Sequence, residues 1–432
     1  MEAIREFGFQ RLPKKQSGLF RCQRRAHSSG PRGNRLTFTA DAELSEKMCP
    51  RLITARTVSP AAPEGRPLPL VSILIPAHNA GELIIHTLRS ALAQTWTRKE
   101  IIVVDDGSTD QTLAIVRQFE AEGVRVVTQT NQGAAAARNR AFALSHGDYI
   151  QWLDADDLLA PDKIARQMEA LEEGLSSGIV LSSAWGRFMY RPHRAKFIST
   201  ALWCDLSPTE WLLRKMEGNL YMQTATWLVS RELTEAAGPW DTRMLSDDDL
   251  EYFCRVLRVS KGVRFVPEAK VYYRGPGIAF GGLSHIGGSE RRIEAHWLSV
   301  RLHIKYLRSL EDGERARAAC LRYLQASLIH FHPEKPRIVQ QAREMAKDLG
   351  GQLKTPTLPW KYSWMKIVFG WPLAKYGQQV LLKFRWKTAK WFDKIVSRSA
   401  DNRLDMIAFQ ERNPGLDCRS VKPETKILQE KT

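Results

Sequence analysis

Three runs of carboxylates have a spacing that suits chemistry. The densest is DADD at residues 154–157, which directly follows an apolar run at 149–153. Carboxylates held this close together repel one another unless a divalent cation neutralises them, and hard oxygen ligands suit Mn²⁺ or Mg²⁺. A substrate with a diphosphate group needs the same kind of cation. The alternative interpretation is a solvated acidic turn that caps the following helix.

Two further acidic runs have both a chemical and a structural interpretation. Residues 105–110, DDGSTD, follow another apolar run, and a carboxylate there can accept the imide N–H of a uracil ring or bind ribose hydroxyls. Residues 247–249, DDD, can supply a general base that takes a proton from a hydroxyl within hydrogen-bond reach. Side chains that cap helix N-termini are the alternative for both runs.

The elements that would hold these runs form an alternating pattern. Short apolar runs predict buried strands, and apolar residues at helical spacing predict helices between them. The alternation predicts an α/β fold with a mostly parallel sheet and helices on both faces, in which ligands bind beyond the carboxyl ends of the strands. The predicted strands lie at 71–75, 101–104, 124–127 and 149–153, and the helices at 84–92, 113–119, 133–144 and from Pro161. Ser108, Thr109 and Asp110 are N-cap candidates for the second helix.

The distribution of charge argues against a nucleic-acid-binding core. The chain has 432 residues and a net charge of +17. Residues 1–67 contain 13 Lys/Arg against 6 Asp/Glu, and residues 352–399 contain 10 Lys/Arg against Asp393 alone. The rest of the chain is therefore almost neutral, whereas a nucleic-acid-binding domain would hold its basic residues on the folded core. Basic flanks favour an anionic membrane surface or acidic partners.

Cysteine usage and hydropathy predict the compartment. The six cysteines form no CxxC pair, so neither a zinc site nor a disulfide framework is indicated. The N-terminus lacks the apolar stretch of a signal peptide, and no run of about 18 apolar residues occurs. We therefore expect a cytoplasmic protein, or one at the inner face of the membrane.

Taken together, the motifs resemble those of family 2 glycosyltransferases with a GT-A fold. The resemblance lies in VSILIPAHN at 71–79, VVDDGSTD at 103–110, Gly133 followed by ARN at 137–139, and DADD at 154–157. Order and spacing match over residues 70–175 and continue less closely to about 285. The resemblance implies inverting transfer of a sugar from a nucleotide diphosphate sugar, with UDP as the default nucleotide, to an acceptor hydroxyl. It also implies Mn²⁺ or Mg²⁺, a carbohydrate or lipid-linked acceptor, and a role in polysaccharide or glycoconjugate synthesis.

The same resemblance assigns roles to individual residues. It places Pro76, Asn79 and Asp106 around the base and ribose, Arg138 near the diphosphate, Asp154 and Asp156 in the family's DxD, Asp157 beside them as a direct metal ligand, Asp248 at the position of the family's Glu, and Asp249 as the catalytic base. Metal binding is thereby assigned to Asp156 and Asp157. The Gly-rich loop that contains His285 would close over the donor; an exposed histidine is the alternative.

Four regions are expected along the chain. They are a basic, disordered arm at 1–67, a GT-A catalytic domain at 68–290, a helical extension at 291–355, and an aromatic and basic segment at 356–432. The last segment mixes Trp with Lys and Arg, as membrane-interface segments do. Ordinary packing of C-terminal helices against the catalytic domain is the alternative.

Two other functions fit parts of the pattern. A sugar-phosphate nucleotidyltransferase would share the nucleotide and metal chemistry, but it would have a basic phosphate loop after the first strand. Residues 78–82 read HNAGE and contain no Lys or Arg, which argues against that class. A catalytically inactive scaffold that binds membrane or nucleic acid through its termini is the second alternative, and the intact acidic runs argue against it.

Overall fold

The predicted strands form one sheet. The computed structural model describes residues 68–172, 178–275, 289–357 and 360–398. Strands β1 to β4 are parallel in the order β3-β2-β1-β4, and the short β8 adds an antiparallel edge beside β4. The sheet comprises β1 (Val71–Ala77), β2 (Lys99–Asp106), β3 (Val124–Gln129), β4 (Tyr149–Trp152) and β8 (Val229–Ser230). The prediction of a mostly parallel sheet is confirmed, and the acidic runs after β2 and β4 lie at its carboxyl edge.

The connecting helices differ from the prediction mainly at their starts. They are α1 (Ile84–Leu92), α2 (Thr112–Arg117), α3 (Ala134–Ala143) and α4 (Lys163–Glu172). The N-cap residue of α2 is Gln111, so the prediction that Ser108, Thr109 or Asp110 would hold that position was wrong. Asp110 still accepts a hydrogen bond from the Thr112 backbone N–H at 2.9 Å. Its carboxylate thus binds the first backbone N–H of α2 from the position before the N-cap.

A second sheet lies beside the first and was only partly predicted. Its order is β5-β9-β6-β7, with β5 (Leu158–Leu159), β6 (Ile179–Phe188), β7 (Lys196–Phe197) and β9 (Gly262–Arg274). The β6 and β9 strands are parallel, with a register shift between Ser183 and Ala184. Because β5 starts directly after Asp157 and pairs with β9, the end of β9 lies against the acidic turn after β4.

The remaining helices include an extension after the sheets. They are α5 (Pro208–Gly218), α6 (Arg231–Ala237), α7 (Asp248–Val259), α8 (Glu290–Leu310), α9 (Glu314–Ser327), α10 (Pro336–Asp348) and α11 (Trp360–Arg398). Helices α8, α9 and α10 lie in the region at 291–355 where a helical extension was predicted. Helix α11 is interrupted at Gly370, whose φ is 75°. Within the described part of the chain, no helix is long and apolar enough to cross a membrane. The predicted arm at 1–67 lies outside the described residues.

Candidate active site

The DADD run forms a tight turn between the two sheets. It closes with a hydrogen bond of 3.1 Å from the Asp157 backbone N–H to the Asp154 carbonyl. The side chain of Asp154 is 30% exposed, whereas Asp157 is fully buried. The turn therefore directs its carboxylates to different depths, with Asp154 at the surface of the site and Asp157 at its base.

Asp157 is held by groups of the second sheet. Its Oδ1 accepts a hydrogen bond from the backbone N–H of Arg274 at 2.7 Å, and its Oδ2 accepts one from Gln223. Burial and the charge of Asp156 raise the pKa of Asp157 well above its usual value. Because both oxygens already accept hydrogen bonds, Asp157 stabilises the turn whether or not it also binds a metal.

Asp156 lies between Asp154 and Asp157 in the turn, and it is half-buried. The Arg274 side chain donates from Nε to the Asp156 carbonyl at 2.8 Å, which fixes the backbone of the turn. Burial and the negative charge of Asp154 raise the pKa of Asp156 to about 6. A carboxylate with such a pKa gains stability when a cation approaches, since the cation offsets both causes of the shift.

Arg138 connects the turn to the acidic run at the start of α7. Its Nη2 donates to Asp154 and its Nη1 donates to Asp248, each at 2.7 Å. The guanidinium is almost fully buried and lies over the Trp240 ring, 4.4 Å from the ring centroid. Although burial opposes it, the charges of Asp248 and Asp154 raise the pKa of Arg138. This single cation therefore brings residues 94 positions apart, Asp154 and Asp248, into one site.

Asp249 faces the site with fewer charged partners. Its Oδ2 accepts a hydrogen bond from the Tyr221 hydroxyl at 3.2 Å, and its carboxylate is half-buried. Burial and the charges of Asp248 and Asp247 raise the pKa of Asp249 to about 7. A carboxylate with this pKa can accept a proton near neutral pH, so the geometry fits the predicted role of Asp249 as a base.

Asp247 precedes Asp248 and Asp249, and its backbone conformation helps direct their side chains to different partners. It is a non-glycine residue in the left-handed region, with φ 58° and ψ 30°. Its Oδ2 accepts a hydrogen bond from the Ser299 hydroxyl at 3.1 Å, and the Nδ1 atoms of His296 and His303 lie 3.9 and 4.0 Å away. Burial lowers the pKa of His303 to about 3, so this ring is neutral near pH 7. Helix α8 of the extension thus supplies the surroundings of Asp247.

The predicted nucleotide-binding residues line the edge formed by β1 and β2. Pro76 is half-buried near the end of β1, and Asn79 is exposed with a φ of 50°. Asn79 Oδ1 accepts a hydrogen bond from the Thr109 backbone N–H at 2.8 Å, which joins the loops after the two strands. Gly107 is needed between them because its φ is 68° and an added Cβ would lie 2.8 Å from the Asn131 nitrogen.

Asp106 is buried below this edge. Its carboxylate accepts hydrogen bonds from the backbone N–H groups of Gln132 and Gly133 at 2.9 and 2.8 Å, and from the Gln129 side chain at 2.7 Å. Asp106 therefore holds the loop that starts α3, and its contact with uracil stays a prediction. The neighbouring Asp105 has a buried Oδ1 atom with no hydrogen-bond partner among the described residues.

Several residues of the site were not found from the sequence. Arg274 holds the acidic turn, and Trp240 stacks under Arg138. Gln223 donates a hydrogen bond to Asp157, and Tyr221 donates one to Asp249. Only Arg274 had a usable signal, since it is a basic residue that directly follows the apolar and aromatic residues at 271–273 and precedes Gly275 and Pro276. The predicted donor-loop residue His285 lies outside the described residues.

The arrangement suits a cation that binds together with a ligand. In the ranges that the structure describes, no three or more His, Cys, Asp or Glu side chains form a preformed metal cage. Mg²⁺ and similar ions are commonly held by one or two carboxylates, with substrate phosphates completing the coordination. The half-buried Asp156, beside Asp154 and Asp157, matches that mode.

Comparison with known proteins agrees with this geometry. The family described as "Glycosyl transferase family 2" matches residues 72–235. Chondroitin synthase of Escherichia coli is 42% identical over 118 residues, which cover 27% of this chain and 17% of that protein. The putative teichuronic acid biosynthesis glycosyltransferase TuaG of Bacillus subtilis is 43% identical over 108 residues, covering 24% and 43% of the two chains. The chain spans less than two thirds of the length of these curated relatives.

A solved structure shares the fold. The crystal structure of S. aureus TarS 1-349 in complex with UDP-GlcNAc aligns with a TM-score of 0.50 and 19% identity, covering 65% of this chain and 81% of that one. At this identity the likeness concerns the fold alone. The family match, the parallel sheet and the acidic runs at its carboxyl edge agree with one another. Residues 72–235 therefore resemble the glycosyltransferase family 2 domain, and the described sheets and helices agree with a GT-A fold.

Proposed function

We propose that this protein is an inverting glycosyltransferase that moves a sugar from a nucleoside diphosphate sugar to an acceptor hydroxyl. The observation that supports it most directly is the Arg138 bridge, which places the acidic turn and the acids of α7 in one site. The turn suits a diphosphate with its cation, and Asp249 beside it suits a hydroxyl that must lose a proton. A site with both capacities is what sugar transfer needs.

In the proposed reaction, one proton is transferred and one bond forms as another breaks. The acceptor oxygen bonds to the anomeric carbon of the donor as the bond from that carbon to the diphosphate oxygen breaks. The hydroxyl proton passes to Asp249, and the bonding electrons leave with the nucleoside diphosphate. Attack from the face opposite the leaving group inverts the configuration at the anomeric carbon.

Asp156 and Asp157 would hold the divalent cation. Mn²⁺ or Mg²⁺ bound there supplies Lewis-acid stabilisation of the departing diphosphate. Asp154 remains beside them on Arg138, and the fixed backbone of Asp156 limits how far the turn can move. The protein itself holds these carboxylates close together, although their negative charges repel one another.

The donor and acceptor are assigned by chemical class. Pro76, Asn79 and Asp106 would surround the base and ribose, with UDP as the default nucleotide. The names of two relatives, a chondroitin synthase and a putative teichuronic acid biosynthesis glycosyltransferase, support a role in polysaccharide synthesis. A carbohydrate or lipid-linked acceptor is proposed with that role. Peripheral contact with the inner face of the membrane belongs to the same proposal.

The nucleotidyltransferase alternative has less support. That chemistry needs basic groups on the phosphates of a nucleoside triphosphate. The loop at 78–82 contains no Lys or Arg, and the two buried arginines described in the site already have partners: Arg138 pairs with two carboxylates, and Arg274 holds the acidic turn. The glycosyltransferase reaction is compatible with these pairings between basic and acidic groups.

Calorimetric titration with UDP tests the proposal. The full-length protein should bind UDP in the presence of Mn²⁺ and much more weakly without it. Asp156→Ala should lose the metal-dependent part, whereas Asp348→Ala, an exposed acid at the end of α10, should bind like the wild type. Failure of UDP, dTDP and GDP to bind with Mn²⁺ present would overturn the glycosyltransferase assignment.

A further inference from the structure

Helix α11 is fixed to the rest of the protein along one face. In the first half of the helix, after the interruption at Gly370, Lys375 donates to the His332 carbonyl at 2.8 Å and forms an ion pair with Glu334 at 2.7 Å. Trp371 and Ala374 are buried beside this contact. The first half of the helix is therefore anchored on the segment between α9 and α10.

A second anchor lies near the end of the helix. Asp393 accepts hydrogen bonds from the Tyr190 backbone N–H at 2.9 Å and from the Arg191 side chain at 2.8 Å. Lys394 forms an ion pair with Glu82 at 3.1 Å. Two anchors 18 residues apart, at Lys375 and Asp393, fix the rotation of the helix as well as its position. Eighteen residues are five full turns, so both anchors lie on the same face.

The opposite face presents a stripe of large apolar side chains to solvent. We call it the α11 stripe; its members recur at helical spacing and are 44–66% exposed. They are Leu373, Tyr376, Val380, Phe384, Trp391 and Ile395. At 100° per residue these positions lie between about 100° and 180° around the helix axis from Lys375 and Asp393. An exposed apolar patch of this extent marks an interaction surface.

Charge identifies the kind of surface that fits the stripe. Residues 360–398 contain nine Lys/Arg and one acidic residue, Asp393. Pairing with a second copy of α11 would bring two such helices together, and like charges would oppose it. An anionic lipid surface instead attracts the basic residues and accepts the apolar ones, and aromatic residues such as Trp391 suit the headgroup level.

The second anchor also lies next to the candidate active site. Met189, the residue before Tyr190, accepts a hydrogen bond from Arg274 Nη1 at 2.7 Å. Arg274 holds Asp156 and Asp157 through its Nε and backbone N–H. Glu82, the partner of Lys394, follows the nucleotide loop at residue 79 by three positions. Both loops at the edge of the site are thus within a few residues of the end of α11.

We propose that the α11 stripe docks the protein on an anionic lipid surface, so that the active site meets an acceptor hydroxyl presented at that surface. This inference rests on the proposed transferase function for its acceptor, but the docking itself does not. The acceptor class that follows is a saccharide attached to a lipid. The anchored face then keeps the acidic turn close to the membrane while the stripe is inserted.

Co-sedimentation of the full-length protein with vesicles tests the docking. Phosphatidylcholine vesicles that contain phosphatidylglycerol should bind the protein, and pure phosphatidylcholine vesicles should bind it at least tenfold more weakly. The double variant Phe384→Ser/Trp391→Ser should lose at least tenfold in affinity for the anionic vesicles. The matched variant Ile198→Ser/Val259→Ser removes exposed apolar side chains elsewhere and should bind like the wild type.

The controls separate the possible failures. UDP binding by each variant, measured by calorimetry, shows that the catalytic domain is folded, and light scattering measures self-association. Equal vesicle binding by the stripe variant and the wild type would overturn the inference. So would a wild-type dimer that the stripe variant dissolves, without vesicle binding by either. Vesicle binding by a protein that binds no nucleotide would overturn the transferase function and leave the docking intact.

Discussion

The acidic turn after β4 and the acidic run before α7 are similar in sequence, but their carboxylates have different surroundings. In the turn, Asp154, Asp156 and Asp157 lie within four residues, and their mutual charge contributes to the raised pKa of two of them. In the run, each acid has its own partner: Ser299 for Asp247, Arg138 for Asp248 and Tyr221 for Asp249.

The difference follows from the backbone that presents each group. The tight turn at the end of β4 keeps its carboxylates close together at different depths of the site, where the charge of one acts on the next. The left-handed Asp247 and the start of a helix send three consecutive side chains in different directions. We therefore expect the turn to respond to cations and the run to respond to protons.

The strongest test of this contrast removes the proton acceptor. Asp249→Asn keeps the shape of the side chain but cannot take a proton, so kcat should fall by about 10³-fold. UDP binding with Mn²⁺ should stay within about twofold of the wild type, because the turn is unchanged. Steady-state kinetics and calorimetry measure the two quantities. A variant that loses both equally would show that the run and the turn do not have separate roles.

Removing the bridge between the two regions should mainly affect stability. Arg138→Met leaves Asp248 buried without its cation, which should lower the free energy of unfolding by about 3 kcal/mol at pH 7. Urea denaturation measures the loss. The double variant Arg138→Met/Asp248→Asn should recover a large part of it, since no unpaired charge is then buried. Unfolding that the second substitution leaves unchanged would contradict the assigned ion pair.

The raised pKa of Asp249 predicts how stability depends on pH. Its pKa is about 7 in the folded protein against a usual 3.8, so the folded state binds more protons between these values. The free energy of unfolding should therefore fall as pH rises from about 4 to 7. Asp249→Asn should be more stable than the wild type at pH 8 by about 1 kcal/mol, after allowance for partial exposure, and equal to it at pH 3. The same denaturation experiment at both pH values measures this.

The smallest effect concerns the neighbouring charge. Asp247→Asn removes a negative charge that raises the pKa of Asp249, and Asn tolerates the left-handed backbone. The acidic limb of the pH profile of kcat/KM should move to lower pH by a few tenths of a unit. Ser299→Ala, which keeps the charge but removes the hydrogen bond, should leave the limb where it is. A shift in the serine variant instead would assign the effect to backbone position.

The first sheet could be predicted because local sequence determines most of it. The central strands β1 and β2 are mainly apolar and mostly buried on both faces, and the acidic run DADD closely follows the apolar residues of β4. The edge strand β3 is only partly buried, but its valines were sufficient to predict it. The second sheet could not be read in this way, since β6 pairs with β9 across about 80 residues of chain. No local pattern encodes such a partner.

The site was predictable in its acids but not in their partners. DADD and DDD are visible in the sequence, whereas the position of Arg138 between them depends on the tertiary fold that brings α3 near the start of α7. The donors that surround Asp106 come from the loop before α3, whose path follows from a left-handed Gly133. Tertiary packing decided which carboxylates are exposed to a ligand and which support a loop.

The contact between Asp247 and helix α8 has a consequence for how the protein can be divided. A chain cut before α8 would retain every motif of the family but lose Ser299, His296 and His303 around Asp247. The aspartate would then keep a left-handed backbone without these three neighbours, one residue before the ion pair of Asp248. We therefore expect the smallest stable fragment to be longer than the family domain, and protein engineers who shorten the chain or exchange its modules should keep α8 with the sheets.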